Sequence, residues 1–138
     1  MRILAAALFV LCTLSSARAQ APVDFSGTWW SERCAKVDVK VGAGGLLSGN
    51  FVSPGVATPF PVTGFRAGTD LIAFSVNFGG SSIASWTGQH TLIAGAETVM
   101  TMWHLAQDVP DDQELVRLWA SNLTGYDNFR RAKPPYCG

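Results

Sequence analysis

Short alternating runs of apolar and polar residues, cut at close intervals by glycine, constrain this chain more than any other feature. Val37, Val39 and Val41 alternate with Lys36, Asp38 and Lys40, the period-two signature of a strand with one buried face. Gly42-Ala43-Gly44-Gly45 reads as a turn, and Leu46 to Val52 returns as the second half of a hairpin. Further strands are expected over Gly27 to Ser31, Val62 to Arg66, Leu71 to Phe78, Ile83 to Leu92, Thr98 to Leu105 and Gly125 to Lys133. Between them lie a proline-rich loop (Ser53 to Pro61), turns at Ala67 to Asp70, Gly79 to Ser82 and Ala94 to Ala96, and an acidic loop from Ala106 to Leu118 with room for a helical turn. Eight short strands joined mostly by tight turns point to an all-β fold, an eight-stranded antiparallel up-and-down barrel, a size that can hold one small ligand. The pattern alone also accommodates a sandwich or a lipocalin-like carrier.

The first residues stand apart from this pattern. Arg2, an apolar run from Ile3 to Leu14 and the small-x-small sequence Ala17-Arg18-Ala19 read as a secretory signal peptide spanning 1–19 and cut after Ala19. About 12 apolar residues are too few to cross a bilayer, which takes roughly 20. The expected division is therefore a signal peptide (1–19), a barrel domain (20–133) and a short tail (134–138), in a secreted or periplasmic protein. Without Arg2 and Arg18, eight basic residues face ten acidic ones. Such a balance, with no basic patch, argues against a nucleic-acid partner, and no second apolar run argues for a membrane one. Cys34 and Cys137 are the two thiols left, in a compartment where disulfides persist.

Specific words occur in order along the strands: Phe25-Ser26-Gly27-Thr28-Trp29, Leu47-Ser48-Gly49-Asn50-Phe51, Trp86-Thr87-Gly88-Gln89, Thr101-Met102-Trp103-His104-Leu105 and Gly125-Tyr126-Asp127-Asn128-Phe129. In this order and at these spacings the chain resembles the avidin/streptavidin family from about Phe25 to Arg131. The resemblance implies a barrel with biotin bound at one end, no cofactor, no catalysis, and a homo-oligomer, dimer or tetramer. The matched positions also share parity within their strands (Ser31 with Trp29, Ala35 with Val37, Phe74 with Phe78, Ser82 with Trp86, Trp103 with Leu105), so all can face inward.

The resemblance places Phe78, Trp86, Trp103 and Leu105 around the apolar part of the ligand. It makes Asp127 the acceptor for one ureido N–H and Ser53 that for the other, and puts Ser82 and Ala84 near the ligand sulfur, Ala84 standing where the family has a threonine. Trp119 matches a tryptophan that one subunit lends to its neighbour; otherwise it covers its own barrel end. Around the ureido oxygen the match sets Ser31, Ala35 and Phe51, of which Ala35 and Phe51 have no hydrogen to donate. Losing two donors costs roughly 2–5 kcal/mol, about 30-fold to several thousand-fold in affinity. Binding weaker than is typical of the family follows. Arg33 stands where the family has an apolar residue and either points to solvent or refills the gap with its guanidinium donors, which would also suit an anionic ligand.

Cys34 stands where the family commonly has glycine. The last strand is expected to end at the barrel face away from Cys34, so a bridge to Cys137 is expected between chains if it forms. The tail Pro134-Pro135-Tyr136-Cys137-Gly138 is stiff and either disordered or able to plug a pocket. A second function follows from that: a family barrel that has lost tight biotin binding and holds its own tail or another small ligand. An enzyme is not expected. His90 and His104 offer no metal-ligand spacing and no nucleophile–base pair, and the parity of His104 with outward positions turns it away from the interior.

Overall fold

A computed structural model describes residues 21–138; the expected signal peptide lies outside the described residues. Eight strands, β1 (Gly27–Ser31), β2 (Lys36–Val41), β3 (Leu46–Val52), β4 (Phe60–Ala67), β5 (Leu71–Asn77), β6 (Ser82–Ile93), β7 (Ala96–Gln107) and β8 (Asn122–Arg130), follow one another around a closed antiparallel barrel. The acidic loop carries one short helix, α1 (Glu114–Arg117), followed by a single tighter turn. Alternation does what the sequence requires of it. Trp29 and Ser31, Val37 and Val39, Ile72, Phe74 and Val76, Ala84 and Trp86, and Asp127 and Phe129 are buried inside, while their neighbours face outward.

Several boundaries differ from expectation, by a residue or two at β5, β6 and β7, and those of β4 and β8 have a clear physical reason. β4 begins at Phe60, with Pro61 paired opposite Asn50; a proline near the start of a strand costs little because few ladder bonds are lost there. β8 runs from Asn122 to Arg130 and not from Gly125 to Lys133. Its polar first residues lie opposite Ala106, Leu105 and His104 of the long β7, and that pairing overrides their loop-like composition.

One barrel end is plugged and the other is open. At the plugged end Phe25 is buried, and the Arg131 guanidinium lies 3.7 Å above the Trp29 ring while donating to the carbonyls of Ser26 and Asp24. At the open end lies a cavity lined by side chains from several strands.

The tail overturns the expected route of the disulfide. Cys34 and Cys137 are bridged within one chain, across a separation of 103 residues. β8 is tilted so that Arg130 pairs with Trp30 near the end of β1. After Arg131 the chain doubles back along the outside of β1. Lys133 lies over the Trp30 ring, the Tyr136 hydroxyl donates to the Glu32 carbonyl, and Cys137, buried, meets Cys34. The tail therefore reaches Cys34 from outside and leaves the cavity of its own barrel unfilled by Tyr136.

Candidate functional site

The turn between β1 and β2 builds one wall of the open end. Ser31 is completely buried, and its Oγ accepts the backbone N–H groups of Arg33 (3.2 Å) and Ala35 (3.1 Å). With its oxygen so occupied, the hydroxyl hydrogen remains for another acceptor. Cys34 takes a left-handed conformation, φ +67°, between them. That conformation suits glycine and costs another residue about 1–2 kcal/mol; here the bridge to Cys137 accompanies it.

The opposite wall is aromatic. Trp86 stacks on Phe74 (ring centroids 5.0 Å apart, planes 10° from parallel) and meets Phe51 at 5.0 Å; Phe51 in turn meets Phe78 edge-on at 5.8 Å. Each such pair adds about 0.5–1.5 kcal/mol beyond burial alone. Phe51 thus supplies apolar packing where a donor was absent from the sequence. Trp103 sits close against Gly125: a Cβ there would lie 2.5 Å from the indole ring, so only glycine lets the ring approach β8 this closely.

Asp127 stands between these walls. Its Oδ2 accepts the Trp86 Nε1–H at 2.9 Å, and its Oδ1 lies 3.4 Å from Arg33 Nε. Burial raises its pKa above the usual 3.8, against the opposing effects of the Trp86 hydrogen bond and the Arg33 charge; nearby Glu32 adds to the rise. Arg33 is half exposed but does not point away into solvent. Its guanidinium crosses to β8, donates to the Tyr126 carbonyl at 2.6 Å and lies 5.5 Å from the Trp103 ring centre. Beside it, Glu32 accepts the Asn128 N–H at 2.7 Å.

Together these groups enclose a cavity of about 210 Å³. Ser31, Arg33, Ala35, Phe51, Ser53, Phe78, Ala84, Trp86, Trp103, Leu105 and Asp127 line it, with Pro54 beside them. These groups set a wall of aromatic rings against one buried carboxylate at the open end of an eight-stranded barrel. Over residues 19–132 the chain matches a known family model, described as the avidin family.

The chain belongs to the avidin family. Its fold agrees with that of xenavidin, whose crystal structure superposes with a TM-score of 0.69 at 25% identity, covering 80% of this chain and 99% of that one. It is also 29% identical over 117 residues to fibropellin-1 of Strongylocentrotus purpuratus. That match takes in 78% of this chain but spans only 11% of fibropellin-1, so the likeness concerns one part of a much longer protein.

Two of the residues matched to the family's pocket lie elsewhere. Ser82 opens β6 and faces a neighbouring surface cleft with Asn77 and Gln107, its carbonyl accepting the Phe78 N–H. Trp119 follows α1 at 79% exposure, its indole N–H donating to Val116, and does not cover its own barrel end. Pro54 was not singled out, although its place directly after Ser53 was a usable signal. Larger than the barrel cavity is a groove of about 740 Å³ on the outer faces of β5 to β8, between Leu71, Met100, Met102 and Tyr126. It is open and apolar and offers no buried charge to orient a small molecule, so size alone does not make it the ligand site.

Proposed function

We propose that this protein binds biotin, or a small molecule with the same cyclic urea, in the cavity at the open barrel end, and that it is a binding protein rather than an enzyme. What carries this reading is the convergence of Phe78, Trp86, Trp103 and Asp127 on one cavity. Aromatic rings bury the ligand's apolar ring, which supplies most of the affinity, and the carboxylate accepts a polarised N–H, which fixes orientation. Ser53 and Ser31 line the same cavity and can meet the remaining polar atoms. Ala35 and Phe51 supply no donor for the urea oxygen, so binding is weaker than is typical of the family.

The same reading makes the protein a homo-oligomer. Met100, Met102 and Tyr126 project from the outer face of β7 and β8, and Leu115, Val116, Leu118 and Trp119 are all exposed in one loop. A contiguous apolar face and a loop of exposed apolar side chains are costly in water and are relieved by a second copy. Secretion is part of the proposal too, and an intrachain disulfide suits an oxidising compartment.

Calorimetric titration of the oxidised mature protein with biotin tests the central point. One site per chain is expected, with binding reduced by Trp103→Ala and by Asp127→Ala. Absence of binding in the unmodified protein overturns the proposal.

A further inference from the structure

The cavity is unusual in how its polar groups are divided. Ala35 and Phe51, on its wall, have no hydrogen to donate, and the Trp86 N–H is spent on Asp127. The remaining side-chain donors on the wall are the Ser31 hydroxyl, the Ser53 hydroxyl, the Trp103 indole N–H, which has no partner among the described residues, and the Arg33 guanidinium. Of these, Arg33 alone carries charge. It has five N–H groups, of which two are engaged, by Asp127 and by the Tyr126 carbonyl, leaving three. Its separation from Asp127, 3.4 Å, is well beyond the 2.7–2.9 Å of a tight charged hydrogen bond. The two groups stand as a loose pair of opposite charge on one wall, acceptor beside donor.

A ligand bearing a C=O next to an N–H complements such a pair, the N–H turned to Asp127 and the oxygen to Arg33. We propose that Arg33 is a specificity-determining residue of this site: it takes the place of the absent neutral donors, and with Asp127 it selects a neutral urea, carbamate or lactam over a cationic analogue. Arg33 is held for this task. Its backbone N–H is bonded to Ser31 Oγ, its neighbour Cys34 is bridged to the tail, and its other neighbour, Glu32, is bonded at both its side chain and its carbonyl. The proposal rests on the biotin reading above and adds to it the identity of the oxygen-side donor.

The test compares biotin with its 2-imino analogue, in which a protonated C=NH₂⁺ replaces C=O and would face Arg33 with like charge and donor against donor. Affinities for both are measured by calorimetry at neutral pH in the unmodified protein, Arg33→Leu and Arg33→Lys. Arg33→Leu is expected to weaken biotin binding by about 10- to 150-fold, the loss of one charge-assisted hydrogen bond. It should also shrink the biotin-to-imino preference about tenfold or more, because the repulsion goes with the charge. Arg33→Lys, which keeps the charge, should retain most of the preference. The preference is a ratio within one variant, so a general loosening of the fold cancels from it. An unchanged ratio in Arg33→Leu, or biotin bound as tightly as by the unmodified protein, overturns the role of Arg33 while leaving the biotin reading standing. An unmodified protein that binds neither compound overturns the biotin reading itself, and this inference with it.

Discussion

Two seams of the barrel hold together by different means. Between β6 and β7, twelve residue pairs run in register from Ser82–Gln107 to Ile93–Ala96, closed by a tight turn in which Ala94 and Gly95 adopt positive φ. Between β1 and β8, where the barrel closes, only Trp30–Arg130 and Ser31–Phe129 pair through the backbone. Beyond Ser31 the edge of β8 loses its partner, and side chains take over. Glu32 accepts the Asn128 N–H and Arg33 donates to the Tyr126 carbonyl, while the returning tail is bridged to the same turn. A hairpin of neighbouring strands forms its ladder locally; a seam between the first and last strands must close a loop of about 100 residues, and long closure is where a covalent cross-link contributes most. Ser31, Arg33 and Asp127, which line the cavity, all sit at the weaker seam.

The largest effect expected from breaking this contrast lies on the stronger side. Trp86→Ala removes a buried ring stacked on Phe74 and leaves Asp127 Oδ2 without its donor, and should cost about 3–5 kcal/mol in denaturant unfolding. Next, Cys137→Ser releases the tail from the closing seam and should cost about 2–4 kcal/mol, with the loss of amide protection concentrated at Ser31 to Ala35 and not in β6 or β7. An evenly spread loss would mean that the two seams are equally dependent on the bridge.

Acidity acts on Asp127. Its folded pKa lies above its unfolded one, so the fold favours the protonated form. The stability this contributes is complete below pH 3.8 and is lost as pH rises through the folded value. Ligand binding runs the other way, since only the carboxylate accepts an N–H without giving one. Biotin affinity should therefore fall on acidification, starting above pH 3.8, and Asp127→Asn should flatten the profile. The smallest effect belongs to Tyr136→Phe, which removes one exposed hydrogen bond to the Glu32 carbonyl and should cost about 0.5 kcal/mol or less.

The stronger seam and the cavity wall were legible in the sequence because both depend on a period of two: once Trp86 and Trp103 are assigned inward, Ala84 and Leu105 follow. The weaker seam was not. Nothing in the spacing of Cys34 and Cys137 shows that the tail turns back outside Trp30, since that depends on the tilt of β8 and on Lys133 finding the Trp30 ring. Nor does a lone arginine in a turn announce that it will cross to Asp127; the unpaired Tyr126 carbonyl that draws it there exists only once β1 has ended at Ser31. Trp119 was singled out by the family resemblance, but its exposure comes from the short α1 loop standing clear of the barrel.

The claim that ligand recognition is lodged at the closing seam is tested most directly by amide hydrogen exchange of the oxidised protein with and without saturating biotin. Protection should rise most at Arg33, Ala35 and Asn128, around the Asp127 carboxylate, with little change along the β6–β7 turn. Protection confined to the outer groove between Met100 and Tyr126, or no change anywhere, would contradict it.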